Sequence, residues 1–231
     1  MEKNSDSRIN LFWQISQSLV SKEYLEEILH LIVTMTAEVM GSKICSLMLL
    51  DESRQELSIA ATQALSIDYR NKPNVRVDGS VSGRAVKERQ PVMVADVTKE
   101  KNYRYPEIAM KAGIVSMVSI PMMISNRPIG VINSYTTQPY RFSEVEIKIL
   151  QAVANQAAVA IENTKLRREN AEAKEALVER KLVERAKALI MEKHHIKEAE
   201  AYRLLQKTSR DNRKSMADVA NAILLAYQIK Q

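Results

Sequence analysis

The sequence contains little cysteine and few residues that interrupt helices. Cys45 is the only cysteine among the 231 residues, so no disulfide can form within the chain and no thiolate zinc site can be built. Gly and Pro are absent from Ser143 to Gln231. Nothing in that stretch therefore predicts an early end to a helix.

Long apolar runs are also missing. No stretch approaches the ~20 apolar residues that a membrane-spanning helix requires, and the first ten residues, "MEKNSDSRIN", lack the basic-then-apolar layout of a signal peptide. The apolar fraction of 45% and the charged fraction of 27% are typical of a soluble globular protein. We therefore expect a cytoplasmic protein without a membrane partner.

The positive charge is concentrated at the C-terminal end. From Leu177 to Gln231 there are 12 Lys and Arg against 7 Asp and Glu, whereas the rest of the chain has 22 against 21. This asymmetry indicates an acidic partner for the C-terminal quarter, although a basic helical face can also be simply solvated.

The N-terminal two thirds alternate between helical and strand periodicity. Helices are predicted up to about Gly41, with apolar stripes at Phe12, Ile15 and Leu19 and at Ile28, Ile32, Met35 and Val39. Strands are predicted at Ile44–Leu50, Leu57–Thr62 and Val92–Ala95, with a helix at Val81–Glu88 and a hairpin around the turn "SNRP". The order predicts an α+β sandwich whose mostly antiparallel sheet is flanked by helices.

A long helix follows. Ser143 and Glu146 form a capping-box pattern at its start. Steps of three and four give a seam that is apolar at both ends and polar in the middle: Ile147, Leu150, Ala154, Ala157, Ile161, Thr164, Arg168, Ala171, Glu175, Val178, Leu182, Arg185 and Leu189. Such a seam suits a parallel coiled coil in a homodimer. A monomeric amphipathic helix with a solvated linker is the alternative.

Two further helical patterns end the chain. The first has an apolar face of Ala199, Tyr202, Leu204 and Leu205, and the second has one of Met216, Val219, Ile223 and Ala226, with Asn212 or Ser215 as the N-cap. We expect a small all-α unit of three helices with a core around Leu189, Leu205 and Ile223.

Two family resemblances follow from motifs in these regions. The segments "SLMLLDESRQELSIAAT", "GSVSGRAVKERQPVMVADV", "SIPMMISNRPIGVINSYTT" and "FSEVEIKILQAVANQAAVAIENTKL", in that order, resemble a GAF domain. "RAKALIM", "EAYRLL" and "SMADVANAI" resemble an ANTAR domain, the RNA-binding module of bacterial antiterminators. The resemblance divides the chain into a GAF sensor domain with its N-terminal helix (1–163), a helical linker or coiled coil (164–177) and an ANTAR domain (178–231).

The ANTAR resemblance implies binding of paired RNA stem-loops that overlap a terminator. Basic side chains neutralise phosphates and small residues allow loop bases to pack, so the candidate RNA-binding residues are Arg185, Ala186, Lys187, Arg210, Asn212, Arg213 and Lys214. Two positions depart from the pattern. His195 stands where Gly is frequent, and Lys197 stands where Ser or Thr caps the next helix, so that helix should begin less firmly.

The GAF resemblance implies a pocket between the sheet and the segments 93–105 and 109–119. Its candidate lining residues are Met93, Asp96, Tyr103, Met117, Ser119, Asn133 and Tyr135. They would either bind an unidentified small-molecule effector or fill an ordinary core. No cofactor is indicated.

Catalysis and metal binding are not expected. His194 and His195 point about 100° apart on a helix and do not chelate one ion together, and Cys45, at the start of a predicted buried strand, is expected to act as a small hydrophobe. No phosphate loop, catalytic triad or pair of acids is present. The leading hypothesis is a sensor-controlled antitermination regulator. The alternative is a non-catalytic dimeric scaffold whose basic helices bind an acidic protein partner.

Overall fold

A computed structural model describes residues 25–64 and 66–228. It divides into two compact units, residues 1–164 and 165–231. The predicted apolar stripe at Phe12, Ile15 and Leu19 lies outside the described residues.

The first unit is built on a six-stranded antiparallel sheet in the order β3-β2-β1-β6-β5-β4. Its elements in chain order are α1 (Leu25–Met40), β1 (Ile44–Asp51), β2 (Glu56–Thr62), α2 (Ile67–Arg70), β3 (Val75–Arg76), α3 (Val81–Glu88), β4 (Val92–Val94), α4 (Pro106–Lys111), β5 (Ser116–Ile124), β6 (Arg127–Thr136) and α5 (Glu144–His194). The predicted α+β sandwich is confirmed, and the predicted strands and the helix at Val81–Glu88 match closely. The short elements α2, β3 and α4 were not predicted, since each has too few residues to show a period.

One face of the sheet is covered by α1 and the start of α5. Successive strand residues point to opposite faces, and on this face Cys45, Leu47, Val118, Ile120 and Ile132 are almost wholly buried. They pack against apolar residues of the two helices, namely Ile28, Ile32, Val33, Leu150, Val153, Ala154, Ala157 and Ile161. The small alanines of α5 permit close approach of the helix to the sheet.

The other face is covered by α2, α3, α4 and their connecting loops. Met48, Met117, Val131 and Tyr135 point to this side and pack against residues such as Tyr69, Val81 and Ala109. This face also carries buried polar side chains from the strands, Ser46, Ser119 and Asn133. The face covered by α2, α3 and α4 carries these polar residues next to the candidate ligand cavity, and we call it the polar face.

The long helix begins at the predicted capping box. Ser143 Oγ accepts from the N–H of Glu146 at 3.3 Å, and Glu146 Oε2 accepts from the N–H of Ser143 at 2.8 Å. The helix continues to His194, and every residue from Lys165 to Lys181 is exposed. His195 then takes a left-handed conformation with φ of 54°, which ends the helix.

The second unit is a three-helix arrangement of the C-terminal part of α5, α6 (Glu198–Asn212) and α7 (Met216–Gln228). Its core consists of Ala186, Ile190, Ala201, Leu205, Val219 and Ala220. Ser215 caps α7, since its Oγ accepts from the N–H of Asp218 at 3.0 Å. Of the two N-caps that the sequence allowed, Ser215 is thus the one used.

Part of the predicted small core is wrong. Ile190 is buried where Leu189 was expected, and Ala201 is buried in place of Tyr202 and Leu204, which are 45% and 43% exposed. The face of α6 that packs is the pair Ala201 and Leu205, four residues apart. Its small alanine leaves room for the neighbouring helices, and the larger side chains turn outward.

Gly83 in α3 is expected to tolerate no side chain. A Cβ built there would lie 1.8 Å from the carbonyl oxygen of Val77. We expect Gly83→Ala to lower the free energy of unfolding of the first unit by about 3 kcal/mol, because backbone would have to move. Hydrogen exchange of the β5 and β6 amide protons measures this quantity for the unit itself.

Gly113→Ala is the matched control. Its Cβ would meet nothing within 4 Å, and its φ of 67° makes only the left-handed backbone unfavourable, a cost of about 1 kcal/mol. Equal losses in the two variants would contradict the steric account.

Candidate ligand cavity and RNA-binding surface

A small cavity lies on the polar face of the sheet in the first unit. Its volume of about 20 Å³ has room for about one water molecule. The residues that line it come from the segment before β3, the start of α3, the segment before α4 and strands β5 and β6: Lys72, Val75, Ser80, Val81, Ser82, Tyr103, Arg104, Tyr105, Met117 and Tyr135.

Two cationic residues line this cavity, Arg104 and Lys72, of which Lys72 is the less exposed. Lys72 as a whole is half-buried, but its Nζ lies 4.5 Å from the ring centroid of Tyr69, which is only 1% exposed. Burial lowers the pKa of the Lys72 ammonium to about 8, since the charged form loses solvation. In the described part of the chain no carboxylate forms an ion pair with it.

Buried hydroxyl groups surround the cavity. The rings of Tyr69 and Tyr135 pack edge to face with centroids 5.8 Å apart, and the Tyr69 hydroxyl lies 3.2 Å from Ser46 Oγ. Burial raises the pKa of Tyr69, Tyr103 and Tyr135. All three phenols are therefore protonated at neutral pH and can donate hydrogen bonds.

Three of the seven predicted pocket residues line the cavity, namely Tyr103, Met117 and Tyr135. Ser119 and Asn133 lie one residue pair further along the same face of β5 and β6, directly opposite each other. Ser82 Oγ donates to Asn133 Oδ1 at 3.2 Å. Ser119 Oγ and Asn133 Nδ2 are buried and have no hydrogen-bond partner among the described residues.

Met93 and Asp96 lie outside the cavity, which corrects their predicted placement. Met93 pairs with Val118, so it points to the opposite face of the sheet, and it is 44% exposed. The Asp96 carboxylate accepts a hydrogen bond from Thr98 Oγ1 at 2.6 Å and forms an ion pair with Lys99 Nζ at 2.9 Å, so its contacts are within its own turn. These contacts, the hydrogen bond from Thr98 foremost, lower the Asp96 pKa to about 2.

Sequence reasoning missed Lys72, Ser80, Val81 and Ser82. They belong to a loop and a helix start that the sheet topology brings over β5 and β6. The turn "VDGSVSG" indicated a helix start, but no sequence period indicated that this start faces the cavity. Lys72 carries no local signal at all.

In the second unit, the two central predicted RNA contacts are buried. Ala186 is 0% exposed within the core, and Lys187 is 8% exposed. Lys187 Nζ lies 2.7 Å from carboxylate oxygens of both Glu184 and Glu198. Ala186 therefore has no surface to offer a base in this conformation, and Lys187 joins the start of α6 to α5.

The other predicted cations are exposed. Arg210 and Asn212 lie in the last turn of α6, and Arg213 and Lys214 lie in the connection to α7. We call these four residues the turn cluster. Arg213 has a left-handed φ of 53°, Asn212 Nδ2 donates to the Thr208 carbonyl at 2.8 Å, and Ser209 Oγ donates to the Lys214 carbonyl at 2.6 Å. The fifth exposed residue, Arg185, lies on α5.

The cap of α6 departs from the usual pattern as the sequence indicated. Lys197 is the N-cap residue, and its ammonium cannot accept a hydrogen bond from the helix N–H groups. Only the reciprocal contact is available, in which the Lys197 N–H donates to Glu200 Oε2 at 3.4 Å. The Lys187 to Glu198 ion pair supplies a second attachment at this helix start.

Cys45 is fully buried, and burial raises the pKa of its thiol to about 12. Its predicted role as a small hydrophobe is thus confirmed. Among the residues that the structure describes, no group of three potential metal ligands occurs.

The first unit is thus an antiparallel sheet with a small cavity, and the second is a three-helix unit with exposed cations. The GAF domain profile matches residues 23–162 and the ANTAR domain profile matches residues 171–224. The chain therefore belongs to the GAF domain family, with an ANTAR domain after the GAF domain.

Two relatives each match part of the chain. The methyl sulfide methyltransferase-associated sensor of Methanosarcina acetivorans is 26% identical over 155 residues, which are 65% of this chain and 16% of that protein. The transcriptional regulatory protein PdtaR of Mycobacterium tuberculosis is 35% identical over 91 residues, or 39% of this chain and 42% of PdtaR. The chain thus spans less than half the length of either relative.

Solved structures support the fold of the first unit. The GAF domain of a phosphoenolpyruvate-protein phosphotransferase from Coxiella burnetii superposes with a TM-score of 0.64 at 22% identity, covering 71% of this chain and 98% of that one. Within residues 25–64 and 66–228, no helix is both long enough and apolar enough to cross a membrane.

The ion pair between Lys187 and Glu198 is expected to make the second unit sensitive to acid. Hydrogen bonding to Lys187 lowers the Glu198 pKa below its ordinary value. The stabilisation is therefore complete above the pKa of the unfolded chain and is lost as the pH falls through the folded pKa. Hydrogen exchange of the α6 amide protons, corrected for the intrinsic rate, should show this loss.

Glu198→Gln should remove that part of the pH dependence, whereas Glu192→Gln, at an exposed position of α5, should retain it. The same acid response in both variants would mean that the ion pair contributes nothing to the stability of α6.

Proposed function

We propose that this protein is a signal-responsive regulator that promotes transcription antitermination by binding paired RNA hairpins through its ANTAR domain, under the control of its GAF domain. The observation that carries the proposal is the exposed turn cluster, which places three cations on one ordered turn of the ANTAR region. One relative is named a transcriptional regulatory protein, PdtaR, and the relative from Methanosarcina acetivorans is named a sensor. Both names support the proposal.

The turn cluster has the chemistry that a phosphate backbone requires. Arg210, Arg213 and Lys214 are exposed, and no ion pair to a described carboxylate neutralises them. The backbone that carries them is held by the hydrogen bonds of Asn212 and Ser209 to backbone carbonyls. Such an arrangement can neutralise phosphates with little loss of backbone freedom on binding.

Lys187 has a supporting role in this proposal. Contact with RNA would require its ammonium to leave two carboxylates at 2.7 Å. We infer that Lys187 orients α6 on α5, so that its loss would weaken RNA binding through the position of α6. Arg185, one residue earlier and exposed, is the better candidate for a direct contact from α5.

We propose that the protein acts as a homodimer, without catalysis, through the exposed segment Lys165–Lys181 of α5. On the seam of this segment Val178 is an apolar side chain that is 58% exposed, and the polar seam residues Arg168 and Glu175 weaken its centre. A small rotation at such a centre has a low energetic cost. A ligand-dependent change in the GAF domain would then alter how two ANTAR domains present themselves to two hairpins.

The turn cluster is expected to account for much of the RNA affinity. The triple variant Arg210→Gln, Arg213→Gln, Lys214→Gln should bind a tandem-hairpin RNA at least about tenfold more weakly. The slope of log K against log salt should fall by about 2–3, since each lost phosphate contact removes about one unit. Filter-binding titrations at several salt concentrations measure both quantities.

The control variant removes the same charge from the GAF domain, by Lys101→Gln, Arg141→Gln and Lys148→Gln at exposed positions. It should keep most of the affinity. If both triples lose affinity equally, the binding is non-specific. If neither variant nor the wild type shows salt-dependent RNA binding, the scaffold alternative with an acidic protein partner is favoured.

The proposed dimer seam can be tested with two neighbouring apolar residues. Val178 lies on the seam and Leu177 lies beside it, and their exposed fractions are similar, 58% and 52%. Val178→Glu should weaken self-association at least about tenfold in sedimentation equilibrium, because like charges would face each other across the seam. It should also remove any preference for two hairpins over one.

Leu177→Glu introduces the same charge at the same exposure and should leave both properties nearly unchanged. A monomeric wild-type protein, or equal effects of the two substitutions, would overturn the proposed seam.

A further inference from the structure

Four features of the first unit make its cavity selective for negative charge. The first is the Lys72 ammonium, which lies over the ring of Tyr69 and has no carboxylate partner among the described residues. A partly buried cation without a counter-charge has lost some of its solvation, and charges removed from water in proteins are normally paired. Lys72, which lines the cavity, can therefore be stabilised by an anion bound there.

The second feature is the start of α3. Ser80 caps this helix by accepting from the N–H of Gly83 at 2.9 Å, and its carbonyl accepts from the N–H of Arg84 at 2.9 Å. The N–H groups of Val81 and Ser82 have no partner in the described part of the chain, and both residues line the cavity. A helix start with free N–H groups is a site where anions bind.

The third feature is the absence of competing negative charge, because none of the described residues that line the cavity is acidic.

The fourth feature is a pair of buried polar side chains next to Ser82, those of Ser119 and Asn133. Ser119 Oγ and Asn133 Nδ2 are buried without partners, and Asn133 is hydrogen-bonded to Ser82. Buried polar atoms that lack partners require an explanation, and a ligand that enters past Ser82 would provide one.

We propose that the GAF cavity binds a small carboxylate, whose oxygens accept from the Lys72 ammonium and from the N–H groups of Val81 and Ser82. A carboxylate is favoured over a larger oxyanion because the cavity measures about 20 Å³ and must expand for any ligand. This inference rests on the proposed sensory role of the GAF domain and names the chemical class of its effector.

The segment Tyr103–Tyr105 lines the cavity, and we expect it to move as the cavity expands around a ligand. Two hydrogen bonds attach this segment to the loops before β3 and α3, from Arg104 Nε to the Gly79 carbonyl and from the Tyr105 hydroxyl to the Asn74 carbonyl, both at 3.1 Å. Tyr105 has a left-handed φ of 60°, which is unfavourable for an aromatic residue. Both hydrogen bonds are exposed, so their replacement by water during opening has a small cost.

The test uses the full chain, sodium acetate and sodium succinate as carboxylate probes, sodium phosphate as the larger oxyanion, and sodium chloride at matched ionic strength as the reference. Calorimetric melting should show that a carboxylate raises the Tm of the wild type above the chloride reference. In Lys72→Met, affinity should fall about ten- to hundredfold, as expected for loss of one charge-assisted hydrogen bond.

Met keeps the unbranched stem against Tyr69, and removal of a desolvated charge should leave the Tm without ligand no lower than that of the wild type. Lys148→Met is the matched control, since Lys148 is exposed on α5, and its carboxylate response should equal that of the wild type.

Three results would overturn the inference: no response to either carboxylate, a response that Lys72→Met retains in full, or a response to phosphate alone. A parallel RNA-binding titration separates this inference from the proposed function. Carboxylate binding that depends on Lys72 supports the inference whether or not RNA affinity changes, while unchanged RNA affinity with bound carboxylate would count against sensory control.

Discussion

One helix, α5, contributes to a hydrophobic core in each of the two units of this protein. The first part of α5 buries Leu150, Val153 and Ala157 against the sheet, and its last part buries Ala186 and Ile190 between α6 and α7. Between them every residue from Lys165 to Lys181 is exposed. Because most helical stability in proteins comes from tertiary packing, the order of this middle segment depends on its two packed ends and on any partner along its seam.

One face of the GAF sheet packs against α1 and α5, and the other carries the candidate ligand cavity. The face toward α1 and α5 is apolar and closely packed, which fixes the helix on the sheet. The opposite face includes buried hydroxyl and amide groups of Ser46, Ser119 and Asn133. Burial of polar groups destabilises a fold unless they are paired. Ser119 Oγ and Asn133 Nδ2 have no hydrogen-bond partner among the described residues, which is consistent with a site in which a ligand supplies the missing partners.

Two partly buried lysines show how the surroundings decide the role of a charge. Lys187 has carboxylate oxygens of Glu184 and Glu198 at 2.7 Å, and these neighbours raise its pKa. Lys72 has an aromatic ring and no carboxylate among the described residues, and burial lowers its pKa. The first lysine is therefore satisfied within the fold. The second one is available to an external anion.

The sequence by itself determined the elements whose pattern is local. Alternating apolar residues defined β1, β2, β5 and β6, the Ser143 and Glu146 capping box defined the start of α5, and the lack of Gly and Pro after Ser143 allowed one long helix. It also placed the exposed cations of the turn between α6 and α7. These features depend on backbone geometry and on periods of two or 3.6 residues, which a single segment reveals.

Only the tertiary structure decided which side chains share a site. Pairing of Met93 with Val118 turned Met93 away from the cavity, and the approach of the loop before β3 brought Lys72 over Tyr69. The ion pair from Lys187 to Glu198 likewise joins residues of different helices. Such contacts depend on strand register and helix packing across long sequence separations, and no local period records them.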